Sequence, residues 1–237
     1  INQQSPSPAD EGCTAGQQHV IAETPVRLEA APTVSPAVAT RIAVALLFGH
    51  SLIAAVNLSP LMGSYTISTL VDVNLEGTAV VWLSSATLLV IAALAFVSGW
   101  LAPAGERVRF GWWAIGIGFV LLSLDETASL HERVGEKAAR VLEVDWLPSL
   151  YLWVIVVAPF AMLAAVWMLR WFGRTLGWRS TQGRLATAAI VLWMAVPVLE
   201  ALDPTLGGPR LLVVIEETAE GFGEALMLWA LLLHLGG

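Results

Sequence analysis

With 237 residues, 57% of them hydrophobic and only 13% charged, the chain carries about half the charge of an ordinary soluble domain. Too little polar surface remains to face water on all sides, which excludes a soluble globular fold. The net charge of −7 argues against a nucleic-acid partner, because phosphate contacts need clustered Lys and Arg, and the single cysteine, Cys13, excludes an internal disulfide.

Residues 1–36 are rich in Pro, Ser, Gln, Ala and Glu, with Pro6, Pro8, Pro25, Pro32 and Pro36 and no sustained apolar period. Such a stretch buries too little surface to fold alone and reads as a flexible polar tail, open to ordering on a partner. Residues 37–237 then hold six apolar runs, near 40–60, 78–102, 110–132, 147–171, 184–202 and 210–235. Each has about the 20 residues needed to cross about 30 Å of hydrocarbon. The expected fold is all-α, an integral bundle of six transmembrane helices with the lipid bilayer as its solvent. Pro197 is expected to kink the fifth run. Trp100, Trp112, Trp113, Trp146, Trp171 and Trp178 fall near run ends, where indoles favour the lipid–water interface.

Lys and Arg set the orientation. The side of the N-terminal tail holds Arg27, Arg41, Arg107, Arg109, Arg170, Arg174, Arg179 and Arg184, against Arg133, Lys137, Arg140 and Arg210 opposite. The positive-inside rule places both termini in the cytoplasm, here of a bacterial inner membrane. Residues 133–146 alternate charges with Val134, Ala138, Val141 and Val144. They read as a solvated extension of the third helix, or as a short helix on the membrane surface.

The acids are unevenly placed. Fourteen of the nineteen lie on the non-cytoplasmic side or in that half of a span. In the sixth run, at about 100° per residue, Glu216, Glu217, Glu220 and Glu224 share one stripe about 100° wide. Gly221 and Gly223 adjoin it and allow a close neighbour helix. In the third run Asp125, Glu126, Ser129, Glu132 and Arg133 share a face. His131, in a regular helix, falls about 100° from Glu132, so it either closes a site from the side or is no ligand. Acids at such depth cost at least a few kcal/mol each when ionised and unpaired, so protons or cations must balance them.

The residue types suit a divalent metal ion between the third and sixth helices. Carboxylates favour Mg, Ca and Mn, and an added His brings in Zn or Fe. The candidate ligands are Asp125, Glu126, His131, Glu132, Glu216, Glu217 and Glu220, with Glu200 behind them. Zn, Fe, Mn and Ca are all compatible with this set, and catalytic residues are not assigned. A metal there could serve hydrolysis or oxidation of a lipid-soluble substrate. Two other readings use the same residues: a proton- or cation-coupled transporter, and structural ion pairing with Arg133, Lys137, Arg140 and Arg210. A non-catalytic subunit of a larger respiratory or photosynthetic complex, bound to other membrane subunits, is a third. His50, alone in the first run, is expected to hydrogen-bond a neighbour helix. Trp82, Trp153, Trp167, Trp193 and Trp229 read as packing or lipid-facing bulk.

The segment SLDETASLHE and the late EETAE resemble a group of bacterial multi-pass membrane proteins of uncharacterised function with SLDE-x4-HE and EE-x-x-E segments. The resemblance covers residues 123–136 and 210–235 and implies no activity. The chain lacks the His-x3-His of ceramidase-like hydrolases and the ExxH repeats of membrane di-iron oxidases.

Overall fold

Chains this apolar satisfy their backbone groups internally, and helices are the local means of doing so. The computed structural model describes residues 34–75, 77–102, 106–143, 149–202, 206 and 210–237. The reading of 1–36 as a tail falls almost wholly outside them.

Helix α1 spans Pro36–Asn57, with Pro36 at its first turn and Ser35 capping the Val38 N–H at 3.3 Å. After a 3₁₀ turn at Pro60–Gly63 come α2, Tyr65–Val71, and α3, Ala79–Leu101. Helices α4, Glu106–Ala128, α5, Leu130–Leu142, and α6, Ser149–Phe172, follow. Helix α6 runs on into one π-helical turn at Gly173–Gly177. Helices α7, Thr181–Leu202, and α8, Arg210–Gly236, complete the chain. No strand occurs among the described residues.

Five of the long helices, α1, α3, α4, α6 and α7, are long and apolar enough to cross a membrane. Helix α8, at 27 residues, is longer than any of them but carries four carboxylates in its first fifteen residues. It is also the most enclosed, packing against α1, α3 and α7, while α4 lies on α3 and α6 on α7. Helices α1 and α8 are antiparallel. The Arg210 guanidinium reaches Asn57, and the backbone of Gly236 crowds that of Val34 at the other end. The same opposed sense holds for α3 and α4, where the Ser85 and Ser123 hydroxyls are 2.8 Å apart, and for α6 and α7.

The two ends of the bundle differ. Away from Arg210, Leu88, Ile91, Trp112, Phe119, Phe172, Ile190, Met227 and Leu231 form one apolar core. Trp112 is 1% exposed there and stacks on His234, with centroids 5.0 Å apart. It is therefore an interior residue, unlike the exposed Trp100 and Trp178 and contrary to the interfacial place its position suggests. At the Arg210 end a smaller cluster of Val73, Val80 and Val214 sits beneath a polar latch. Asn57 donates to the carbonyls of Ile53 (3.0 Å) and Val71 (2.7 Å) and accepts from Val73 N–H (3.2 Å) and Arg210 (3.0 Å). Arg210 also pairs with Asp72 at 3.1 Å.

Candidate functional site

The third apolar run does not continue as one helix. Helix α4 stops at Ala128, and Ser129 takes left-handed backbone angles, φ 44 and ψ 49. That is an uncommon conformation for a residue with a Cβ. It turns the chain so that His131, the second residue of α5, faces back on Asp125. One oxygen of Asp125 accepts the His131 backbone N–H at 2.9 Å, and the other lies 2.8 Å from Nδ1. The separation of these two residues expected from a regular helix is thus corrected, because the helix is broken between them. Residues 130–142 form a separate helix packed on α6 rather than an extension of α4.

The pair is half-buried, with side chains about 30% exposed. Trp153 of α6 stands edge-on to the His131 ring at 4.7 Å and donates its indole N–H to Glu200 of α7. Trp153 is therefore part of the polar group rather than bulk. The side chain of Glu132 lies outside the described residues.

Glu126 turns inward from Asp125. It lies beside the Ser84 hydroxyl of α3 and is an electrostatic neighbour of Asp125 and His131. Across the bundle, Glu217 has Glu126, Glu216 and Glu200 as charged neighbours. Glu220 has Glu217, Glu126, Glu216 and Glu224. The stripe on α8 therefore lies within electrostatic reach of the α4 carboxylate, and α7 adds Glu200. Glu224 is the innermost, about 21 Å along the helix from Arg210. It is 2% exposed, one oxygen accepts from Ser84, and Oε2 is shut from solvent with no partner. As a polar atom buried without a hydrogen bond, Oε2 marks the inner end of the group. Its place in the stripe is readable from sequence, but its burial is not.

The four basic residues at this end do not enter the group. Arg210 holds Asp72, Arg140 holds Glu136 at 3.1 Å, and Arg133 and Lys137 are exposed. Among the described residues no Lys or Arg forms an ion pair with Glu126, Glu217, Glu220 or Glu224. Nor do three His, Cys, Asp or Glu side chains among them converge closely enough, as placed, to hold a metal ion.

Two glycines let neighbours approach α8 beside the stripe. A Cβ on Gly221 would lie 2.1 Å from Nδ1 of His50, and one on Gly223 would lie 2.6 Å from Nε1 of Trp193. The Trp193 indole donates to the Glu220 carbonyl at 3.3 Å. His50 is buried, and its Nε2 has no hydrogen-bond partner, so the interhelical bond expected of it is not made.

A family model matches residues 37–235, which span the whole bundle and both halves of the carboxylate group. The chain belongs to this family, described as a domain of unknown function, DUF8692. No curated protein and no solved structure matches it. The family supplies no activity, so function rests on the site itself.

Proposed function

We propose that the protein is a six-span membrane protein that takes up a divalent cation, from the Arg210 end, into a blind carboxylate site. The site consists of Glu126 of α4 with Glu217, Glu220 and Glu224 of α8. Asp125, His131 and Glu216 form its mouth, with Glu132 following in sequence. One observation carries the reading. Four carboxylates from two helices lie within electrostatic reach of one another inside the bundle, and none of the four nearby basic residues pairs with them. Structural ion pairing, the plainest alternative, lacks its partners among the described residues. In a low-dielectric interior such a group must be balanced by protons or by a bound cation, and the cation is the reading taken here.

Two further features fit a metal ion. Histidines that ligate metals commonly give their second ring nitrogen to a carboxylate, the relation Asp125 has to His131. Glu side chains have enough rotational freedom to close on an ion that enters. The apolar core beyond Glu224 favours a dead-end site over a through-going proton or ion path. Hydrolysis or oxidation of a lipid-soluble substrate at the bound metal is the enzyme chemistry this would allow.

The test is metal analysis and calorimetric titration of the purified chain in lipid nanodiscs with Zn²⁺, Mn²⁺ and Ca²⁺. Stoichiometric binding of a divalent cation, lost in Glu220→Gln, is expected; no binding of any of the three overturns the reading. Topology is tested separately in a Cys13→Ser background. Thr66→Cys should react with an impermeant thiol reagent from outside the cell and Ser180→Cys only from inside.

A further inference from the structure

We infer that His50 of α1 is the nitrogen donor of this cation site, and that the site selects a transition metal of the Zn²⁺ or Fe²⁺ class over Ca²⁺ and Mg²⁺. The inference rests on the reading of the carboxylate group as a cation site.

The placement of His50 follows from the α1–α8 seam. Ala39, Ala43, His50 and Asn57 are the buried residues of α1, and they recur at helical spacing along one stripe. Asn57 meets Arg210 at one end of the seam, and Val34 meets Gly236 at the other. His50 meets Gly221 between them, with its ring where a side chain at 221 would stand. Gly221 follows Glu217 by four residues and precedes Glu224 by three. Residues at these spacings are neighbours on a helix surface, about 5–6 Å apart at Cβ. The ring is thus seated on the helix between two of the four carboxylates.

Three orphan atoms occur among the described residues: Nε1 of Trp229, more than one turn beyond Glu224 on α8, and two in this register. Nε2 of His50 and Oε2 of Glu224 are both closed to solvent and both lack a hydrogen-bond partner. Leaving either unsatisfied forfeits the hydration it had in water, and only a few such groups occur per hundred residues in native proteins. Two together, one an imidazole nitrogen and one a carboxylate oxygen, are the donors of a mixed N/O metal site. Oxygen-only sites suit Ca²⁺ and Mg²⁺, whereas an imidazole shifts preference toward Zn²⁺ and Fe²⁺. The described donors do not converge on one point as placed. Loading therefore draws Glu217 and Glu224 toward the fixed ring.

The experiment uses the full chain in nanodiscs, with Zn²⁺ and Ca²⁺ titrations and Co²⁺ as a spectroscopic probe. The native chain should bind Zn²⁺ far more tightly than Ca²⁺. His50→Gln should lose more than the roughly 100-fold in Zn²⁺ affinity that marks the loss of an outer partner, keep its weak Ca²⁺ affinity, and alter the visible Co²⁺ spectrum. Retained Ca²⁺ binding serves as the control for folding. His50→Cys in the Cys13→Ser background should regain tight Co²⁺ binding with a new thiolate charge-transfer band, which a packing residue would not give. If His50→Gln binds Zn²⁺ like the native chain while Glu220→Gln does not, the role of His50 is overturned and the carboxylate site stands. If the native chain binds neither cation, both fall.

Discussion

Asp125 and His131 are joined twice across six residues, once through the His131 backbone N–H and once through its Nδ1. The first contact caps the start of α5 and the second fixes the imidazole. Asp125→Ala removes both and leaves the left-handed turn at Ser129 without its brace. We expect a loss of about 1–3 kcal/mol in unfolding free energy, read by thermal or denaturant unfolding in detergent. Asp125→Asn, which can still accept the backbone N–H, should lose less. Equal stability of all three chains would show that the pair does not hold the break.

Glu220 stands among four other carboxylates. Glu220→Gln keeps the shape and removes a carboxyl that must either bear charge beside its like or hold a proton against solvent. In chelator-treated protein this variant should therefore melt higher than the native chain. With added cation the order should reverse. The native chain gains about 2.7 kcal/mol at one hundred times its dissociation constant, and the variant gains little. A variant that melts lower without cation and is stabilised equally by it would contradict the charge-repulsion argument.

Gly221 and Gly118 make a matched pair of helix glycines. Alanine at 221 drives a methyl into the His50 ring, whereas 118 has nothing within 4 Å of the added carbon. Gly221→Ala should cost about 1–3 kcal/mol through overpacking. Gly118→Ala should be neutral or gain up to about 1 kcal/mol from helix propensity. Thermal unfolding of the two variants side by side reads the difference.

Asn57 gathers the Arg210 end by bonding Val71, Val73 and Arg210 at once. Asn57→Ala strands several buried partners and should cost about 1–3 kcal/mol. It should also speed hydrogen exchange and proteolysis between residues 60 and 75. Leu58→Ala, at an exposed neighbour, should leave exchange in this loop near the native rate.

All six long helices fall within a few residues of the apolar runs, because the demand for about 20 apolar residues per span is written locally. The carboxylate stripe of α8 is equally local, since a fixed angle per residue puts Glu217, Glu220 and Glu224 on one face. That reasoning failed at His131, where a single left-handed residue, Ser129, redirects the chain and no periodicity reports such a turn. It failed again at Trp112, because nearness to a run end does not tell an indole at the lipid surface from one between helices, and at Trp153, whose reading as bulk missed its bond to Glu200.

Sequence by itself determined the all-helical class, the positions of the long helices and the acidic face, each a property of one segment and its solvent. Tertiary packing alone decided that the four basic residues nearby are exposed or engaged with other acids, that Glu224 is sealed with one oxygen unpartnered, and that His50 is seated on Gly221. These depend on which helices become neighbours and at what register, and that choice is settled by side chains far apart in the chain.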